Sequence, residues 1–464
     1  MAAVFMGTQN NLARMKELGF PEEELTKAGP EDLCIGIIGT NPLGITEAEN
    51  TAMRFLDGQH ITSDKEDLLP RADSIEEAAM MLEHPNLAVI SSPGNAAVMN
   101  AEKALMKGMH VFLFSDGVSL EEELKLKRLG RDQELLVMGP DCGTSWIQGQ
   151  PLGFANHIRR GSIGVIGASG TGMQEVMCNL HHLGAGVSHA IGTGGRDMFL
   201  EIGAITTRMA FKLLLEDPET DVIVIVVKDG DSDVIDQFLI EVSDCGKPTV
   251  VYLPSKLPAK AVNGQLYLAN TLHRSAAIAY RLSLRQNLPK EQLQDLEEFG
   301  YRNKNFQSNK KSHNKLVGLY SGGTLAGEAE QLLRESPSRM EYEILDMGGE
   351  KYTDGRLHPI IDPSTRLKEF ERRLADPSVF IILMDLVLGY GAHPNPASLF
   401  AESIRKTAVF RKGYPIIVVS IIGTEEDPQN LELQEEMLRK EGVITTRSHE
   451  EAVLKCIESS YLHE

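Results

Sequence analysis

Residues Gly161 to Glu175 read GSIGVIGASGTGMQE, and this stretch decides the fold. Its apolar start predicts a short buried strand over 163–166, its centre a glycine-rich turn over 167–172, and its end a helix. The unpaired backbone N–H groups of a first helical turn and the helix dipole together suit an anion. Glycines let the backbone approach that anion closely, and Ser169 and Thr171 can donate hydroxyl hydrogen bonds to it. The alternative is a tight turn that binds nothing.

A second copy of this pattern lies further along the chain. Residues 316–328 read LVGLYSGGTLAGE, in which GLYSGGT aligns with the first copy once one gap is allowed. Later landmarks repeat as well: the Thr-Gly-Gly of residues 193–195 corresponds to the Met-Gly-Gly of 347–349, and the run DVIVIVV corresponds to VFIILMDLV. Residues 161–285 and 315–464 are therefore predicted to be two copies of one α/β domain.

The bulk composition bounds the class of protein. A length of 464 residues suggests about three domains, and a formal net charge of −20 argues against a nucleic-acid partner. No apolar run is long enough to span a membrane, and the start, MAAVFMGTQNN, lacks the basic region and cleavage site of a signal peptide. The five cysteines show no metal-binding spacing. We therefore expect a cytoplasmic protein with no membrane partner and no metal site.

The first 155 residues alternate short apolar runs with helical patterns, which predicts a doubly wound parallel sheet. Ligands of such sheets bind beyond the carboxyl ends of the strands. That rule gathers three strand ends at one edge: residues 91–94, 114–117 and 139–142. Asp141 and Cys142 are therefore substrate-binding candidates. A packing role is the favoured alternative for Cys142, because no histidine is placed in the sequence to activate its thiol.

Glycine-rich loops with a cationic side chain follow one strand in each copy. Gly194, Gly195 and Arg196 lie in the first of these loops, and Arg356 lies in the second. An arginine at such a position can bind phosphate or carboxylate oxygens with two hydrogen bonds. A surface ion pair is the alternative for each arginine.

Two histidines precede prolines in predicted loops of the second copy, His358 and His393. Both are candidates for a general acid or base, His393 first because it follows a long apolar strand. A histidine with no part in the chemistry is the alternative. Asp385 lies inside that apolar strand and is expected to be a buried, hydrogen-bonded carboxylate.

Six stretches resemble a known family in their order and sequence: MGPDCGTS, IGVIGASGTGMQE, IGTGGRD, SGGTLAGE, HPIIDP and DLVLGYGAHPNP. They resemble the FdrA/YahF family and, more distantly, the NDP-forming acyl-CoA synthetases and succinyl-CoA synthetase. The resemblance runs from about residue 5 to about residue 460. It implies an α/β fold of three domains, in which a Rossmann-like, CoA-binding-type domain precedes two flavodoxin-like, succinyl-CoA synthetase-like domains with parallel sheets.

The resemblance also implies domain boundaries and a set of anion-binding residues. The implied domains are 1–155, 156–285 and 315–464, with a linker over 286–314. In succinyl-CoA synthetase the two glycine-turn helices face one phosphohistidine, so here both turns are expected to converge on one anion. The anion-binding residues are then Ser169, Gly170, Thr171, Gly172, Ser321, Gly322, Gly323 and Thr324.

The chain departs from the nucleotide-driven synthetases in two ways. The phosphorylated histidine of those enzymes follows the strand predicted over 248–253, in a Gly-His-Ala-Gly context, whereas this region contains only His273 in another context. An ATP-grasp domain is not recognisable either. Compared with FdrA relatives, the chain is also expected to lack an amino-terminal strand–helix segment and a carboxyl-terminal tail.

Three functions are consistent with this resemblance. The first is an FdrA-type subunit of an oxamate carbamoyltransferase in purine and allantoin catabolism, which would bind phosphate or carbamoyl phosphate between the two turns and act in a hetero-oligomer. The second is an acyl-CoA synthetase-like protein that binds CoA in its first domain and takes a phosphohistidine from a partner. The third is a non-catalytic scaffold subunit. A homodimer is the alternative to the hetero-oligomer.

Overall fold

A computed structural model describes residues 2–29, 32–39, 41–56, 71–243, 245–254, 265–284, 315–336, 340–353, 355–408 and 415–462. Contacts divide the chain into two units, Met1–Met81 with Asp354–Leu357, and Leu82–Thr353 with His358–Glu464. The predicted linker over 286–314 lies outside the described residues, as does most of the region in which a phosphohistidine was sought.

In its described residues, the first unit contains two strands and four helices. β1 (Ala2–Met6) pairs antiparallel with β2 (Leu33–Ile37). The helices are α1 (Gln9–Glu17), α2 (Glu22–Leu25), α3 (Pro42–Leu56) and α4 (Ile75–Met81). The expectation that β2 belongs to one parallel sheet with the following strands is wrong. Only Gly36 of β2 is fully buried, whereas an inner strand of a parallel sheet is covered on both faces.

The second unit begins with a three-stranded parallel sheet. β3 (Leu87–Ile90), β4 (His110–Leu113) and β5 (Val137–Met138) lie side by side in chain order. α5 (Gly94–Met106) and α6 (Leu120–Asp132) make the crossovers that parallel strands require. This part of the predicted doubly wound sheet is present.

A seven-stranded sheet follows, with the order β12-β11-β10-β8-β9-β6-β7. Its strands are β6 (Thr144–Ile147), β7 (Gln150–Gly153), β8 (Arg160–Gly167), β9 (Val187–Gly192), β10 (Val222–Val226), β11 (Thr249–Tyr252) and β12 (Leu266–Ala269). Its helices are α7 (Gly170–His182), α8 (Ile205–Glu216), α9 (Ser232–Val242) and α10 (Leu272–Ser283). β6 and β7 form a hairpin, and β6 pairs antiparallel with β9, so this sheet begins before residue 155.

The last sheet has five parallel strands in the order β14-β13-β15-β16-β17. They are β13 (Lys315–Tyr320), β14 (Glu341–Asp346), β15 (Val379–Val387), β16 (Ile416–Ile422) and β17 (Ile444–Thr446). The helices are α11 (Gly323–Glu335), α12 (Glu350–Thr353), α13 (Ser364–Ala375), α14 (Pro396–Ala408), α15 (Leu431–Lys440) and α16 (His449–Leu462).

The predicted internal repeat is confirmed by the strand order. Numbered within each copy, β8–β12 and β13–β17 both run 2-1-3-4-5, the order of flavodoxin-like folds. The chain therefore has an α/β fold with parallel sheets. One apolar cluster extends through both copies, from Val165 and Val176 to Leu325 and Val453, so they share a core. Within the described ranges, no helix is long and apolar enough to cross a membrane.

Candidate functional site

The first glycine turn joins β8 to α7. Ser169 is the N-cap of α7, and its Oγ accepts a 3.1 Å hydrogen bond from the Gly172 N–H. The Ser169 and Thr171 side chains are buried. This capping bond already satisfies one of the N–H groups that the predicted anion would share.

The second glycine turn joins β13 to α11 and is held differently. The N-cap Gly322 makes no side-chain capping bond. Both the N–H and the hydroxyl of Ser321 bond to the buried Asp385 carboxylate, the N–H at 3.0 Å and the hydroxyl at 2.6 Å. Arg366 forms a buried ion pair with the same carboxylate. Asp385 therefore accepts both donors of Ser321 and fixes the turn, so in this structure neither donor is left for the anion that Ser321 is predicted to bind.

The structure brings the two turns together end to end. A Cβ added to Gly322 would lie 2.2 Å from the Thr171 Oγ1, and one added to Gly172 would lie 3.1 Å from the Thr324 Cγ2. Only a glycine fits at position 322, because a real Cβ does not approach another atom that closely. The Thr324 hydroxyl is buried and has no hydrogen-bond partner within the described part of the chain.

A cation and a carboxylate from two further strand ends lie beside α11. Lys228 follows β10, and Asp346 ends β14. From the point where a Gly323 Cβ would stand, the Lys228 Cε is 3.6 Å away and the Asp346 Oδ2 is 2.7 Å away. Burial raises the pKa of the Asp346 carboxyl, while hydrogen bonds from Gly348 and the charge of Lys228 lower it in part. The first helical turn of α11 therefore lies next to one positive and one titratable group.

Asp141 belongs to the same electrostatic neighbourhood. Its side chain is exposed, yet surrounding protein raises the pKa of its carboxyl, which the charge of Lys228 partly offsets. Gly194 packs against the turn that follows β5, since a Cβ added to Gly194 would lie 2.5 Å from the Pro140 carbonyl oxygen. Gly195 lies near Asp141, 3.7 Å from its Oδ2 by the same measure.

Two of the predicted substrate-binding residues, Arg196 and Cys142, have other contacts in the structure. Arg196 Nε bonds to Glu123 at 2.8 Å, and its NH2 bonds to the Val118 carbonyl at 2.8 Å, so this guanidinium anchors its loop to α6. Cys142 is buried under Gly192, and burial raises the pKa of its thiol to about 12. The prediction that Cys142 binds substrate is wrong, and the packing alternative holds. Arg356 belongs to the other unit and is exposed.

His358 lies beside the second turn. A Cβ on Gly348 would be 2.2 Å from the Ser321 carbonyl oxygen and 3.0 Å from the His358 Nε2. Its Nδ1 accepts a 3.3 Å hydrogen bond from the Ile360 N–H, so in the neutral ring the proton is on Nε2. Burial lowers the pKa of this imidazole to about 4. At neutral pH His358 is therefore a hydrogen-bond donor at Nε2 and a poor proton acceptor.

His393 repeats this local geometry on the next loop. The Nδ1 of the His393 ring accepts a 3.1 Å hydrogen bond from the Asn395 N–H. The backbone N–H of His393 donates a 2.8 Å hydrogen bond to the Ile360 carbonyl. The two histidine loops are thereby joined. Among the described residues, no contact places His393 against either glycine turn, whereas His358 lies against the second turn.

Three buried side chains that the sequence analysis missed connect the helices behind the turns. Glu175 and Glu328 occupy the sixth positions of α7 and α11, and both are fully buried. The His449 Nδ1 lies 2.8 Å from the Glu328 Oε1, and its backbone N–H donates to Glu175 at 2.8 Å. The two glutamates occupy equivalent positions in the two repeats, and this equivalence could have identified them from the sequence. No sequence signal pointed to His449.

Lys228 and Asp346 were also missed, although Lys228 follows the apolar strand β10 and Asp346 ends β14. The rule that ligands bind at strand ends predicts such residues, but it was applied only to glycine-rich loops. Within the described ranges, no cluster of three His, Cys, Asp or Glu side chains is arranged to hold a metal ion.

A separate cavity of about 370 Å³ lies between α6 and α8. Its lining includes Arg128, Arg131 and Arg208 but no residue of the glycine turns. Arg208 pairs with Glu241, and Arg131 pairs with Asp132. This cavity is therefore distinct from the site that the two repeats build.

Comparison with known proteins places the chain in a family. A model described as "CoA-ligase" matches residues 319–457, and one described as "AllF, heavy metal-associated domain" matches residues 1–69. YahF of Escherichia coli (strain K12) is 34% identical over 96% of this chain and 90% of its own length. Succinate–CoA ligase [ADP-forming] subunit alpha 2 of Archaeoglobus fulgidus is 28% identical over 40% of this chain and 64% of that protein.

One similar solved structure is the dinucleotide-forming acetyl-coenzyme A synthetase 1 of Ca. Korarchaeum cryptofilum in complex with phosphate and ADP. The match covers 87% of this chain and 89% of that chain, with 14% sequence identity and a TM-score of 0.38. The similarity to YahF extends over nearly the whole chain and carries the assignment. The chain belongs to the FdrA/YahF family, which is related to the NDP-forming acyl-CoA synthetases and succinyl-CoA synthetase.

Proposed function

We propose that the chain is an FdrA-type subunit of an oxamate carbamoyltransferase and binds phosphate or carbamoyl phosphate where its two glycine turns meet. The observation that carries the proposal is the end-to-end packing of the turns at Gly322 and Thr171. The amino termini of two helices add their partial positive charges at one point, which suits a phosphoryl group. The wider class, a protein similar to acyl-CoA and succinyl-CoA synthetases, follows from the family.

The proposed reaction converts oxalurate and phosphate into oxamate and carbamoyl phosphate, or the reverse. It requires a held phosphate, a polarised carbonyl and a protonated amide leaving group. The neutral His358, a donor at Nε2, suits the second task. Asp346, with its raised pKa, suits proton transfer to the leaving nitrogen. A cytoplasmic hetero-oligomer with other carbamoyltransferase subunits is part of the proposal.

The test is a Gly322→Ala variant assayed for oxalurate phosphorolysis with the partner subunits present. The residue has φ near −154°, so alanine causes no backbone strain, but its Cβ must push Thr171 away. We expect turnover to fall at least about tenfold, because small displacements of bound reactants are costly. Gly327→Ala on the same helix is the control, since a Cβ there meets nothing within 4 Å. Full turnover by Gly322→Ala would refute the site.

A CoA-dependent, acyl-CoA synthetase-like function is the second candidate, favoured by the "CoA-ligase" match over residues 319–457. It would need a phosphohistidine supplied by a partner. Calorimetric titration of the full chain separates the two: binding of CoA favours this candidate, and binding of phosphate without CoA favours carbamoyl transfer.

A further inference from the structure

Lys228 is a half-buried cation that lies beside the second glycine turn. Within the described part of the chain its ammonium group forms no ion pair or hydrogen bond. Most ammonium groups removed from water are paired, because desolvation of an unpaired charge is costly. An unpaired lysine in this position indicates a site for a counter-ion that the described residues do not supply.

The carboxylates nearest to Lys228 do not supply it. The charge of Lys228 lowers the pKa of both Asp141 and Asp346, yet neither forms an ion pair with it. Both carboxyls have raised pKa values because of their surroundings, so they take up protons more readily than ordinary aspartates. An anion next to Lys228 would raise those values further, and protonation of Asp346 would then turn a repulsive neighbour into a hydrogen-bond donor.

The two helix ends are unequal as anion sites. The α7 end is capped by Ser169 and enclosed by Thr144, whose Oγ1 would lie 2.8 Å from a Gly170 Cβ. The α11 end has no side-chain cap, and the buried Thr324 hydroxyl beside it has no hydrogen-bond partner among the described residues. Thr324 also lies at the junction itself, against Gly172. In the part of the chain that the structure describes, a buried hydroxyl without a partner, uncapped N–H groups and an unpaired lysine therefore meet at the α11 end.

We infer that the anion site is asymmetric: Lys228, Thr324 and the first N–H groups of α11 bind one phosphoryl dianion directly, whereas α7 forms the opposite wall and contributes only its helix dipole. This inference rests on the proposed function and names the residues that select its charged substrate. Lys228 is then a binding residue contributed by the first repeat to the helix end of the second.

Calorimetric titration of the full chain with inorganic phosphate tests the inference. Lys228→Met should weaken phosphate binding about tenfold or more and reduce its dependence on salt, since charge-assisted bonds to phosphate are strong. Lys228→Arg should retain most of the affinity. Lys212→Met, at an exposed position of α8, is the matched control and should bind phosphate normally.

A threonine pair tests the asymmetry. Thr324→Val should weaken phosphate binding several-fold, and Thr171→Val should weaken it less, with circular dichroism showing that both variants fold. Unchanged binding by Lys228→Met, or a larger effect at Thr171 than at Thr324, would overturn the inference while leaving the proposed function in place. Failure of the unaltered chain to bind phosphate or carbamoyl phosphate, together with full turnover by Gly322→Ala, would overturn both.

Discussion

At the scale of single residues, a His-Pro-X sequence sets the tautomer of two imidazoles. In both His358 and His393 the ring Nδ1 accepts the N–H of the residue that follows the proline. Proline contributes no N–H of its own, so the next residue is the first that can donate. The neutral ring then holds its proton on Nε2. His358 and His393, the two candidate bases, are therefore hydrogen-bond donors at Nε2 when their rings are neutral.

His358 should accordingly titrate far below neutrality. Because burial lowers the pKa of its imidazole to about 4, the ring stays neutral from pH 8 down to about pH 5 and gains its second proton only below that. NMR of the chain labelled with ¹⁵N-histidine should show an Nε2–H tautomer at pH 7 with no shift change between pH 6 and 8. His358→Gln identifies the resonance. A midpoint above pH 6 would contradict the assignment of His358 as a neutral donor.

Sequence reasoning succeeded at residues whose role is local and failed where the role depends on a distant partner. The glycine turns could be predicted because strand, turn and helix adjoin in the chain. Ser321 could not, since its donors are taken by Asp385, 64 positions away. Lys228 and Asp346 are brought together only by the packing of two repeats, a juxtaposition that no spacing in either copy encodes.

At the scale of elements, a cluster of three charged residues, Glu343, Arg373 and Lys315, links β14 to β13 and α13. Glu343 accepts two bonds from Arg373 of α13, at 2.8 and 2.6 Å, and pairs with Lys315 of β13 at 2.6 Å. A bidentate arginine fixes both distance and orientation, so α13 is held to the edge strand. Asp346, the candidate proton-transfer residue, ends this same strand.

Glu343→Gln should therefore lower the free energy of unfolding by about 1 kcal/mol at pH 7, a modest figure because the carboxylate is partly exposed. Arg373 and Lys315 hold the pKa of Glu343 at about 2, below its usual 4.5. A depressed carboxyl pKa adds stability above pH 4.5, and this is lost as the pH falls toward 2. Urea denaturation at pH 7 and pH 3 should show the variant's deficit shrinking in acid, with Glu341→Gln on the same strand as control. An equal deficit at both pH values would count against the cluster.

The existence of two repeats could be predicted from the sequence, and the resemblance implied their flavodoxin-like fold, but the pairings of β2 and of the β6–β7 hairpin could not be predicted. DLCIGII is apolar enough for an inner parallel strand, yet its neighbour in the structure is the antiparallel β1. The TSWI strand joins the next sheet through β9 rather than continuing the sheet before it. Apolar runs predict that a strand exists and leave its partner open.

At the scale of the whole molecule, the two repeats are joined by a buried charged network. Glu175 of the first repeat and Glu328 of the second both bond to His449, which also lies 2.9 Å from the Tyr320 hydroxyl. All three ionisable residues are fully buried. The positions of the glycine turns relative to each other depend on this network, because the glutamates lie one and a half helical turns behind them.

The network makes a prediction about stability and pH. Burial alone would lower the pKa of His449, but the hydrogen bond and charge of Glu328, with Glu175 and Asp385, raise it above its usual 6.5. A raised histidine pKa gives stability that is fully present below pH 6.5 and is lost as the pH rises through the folded value. Burial also raises the pKa of Glu175, which likewise favours the folded state at lower pH.

Glu328→Gln removes the counter-ion of a buried imidazolium and should cost about 3 kcal/mol at pH 6. The cost should shrink as the pH rises through the folded pKa of His449, because the imidazole then becomes neutral in the unaltered protein too. Urea denaturation followed by circular dichroism at pH 6, 7.5 and 9 measures this, with Glu330→Gln, exposed on the same helix, as the control. A deficit that grows with pH would contradict the raised pKa of His449 in the folded protein.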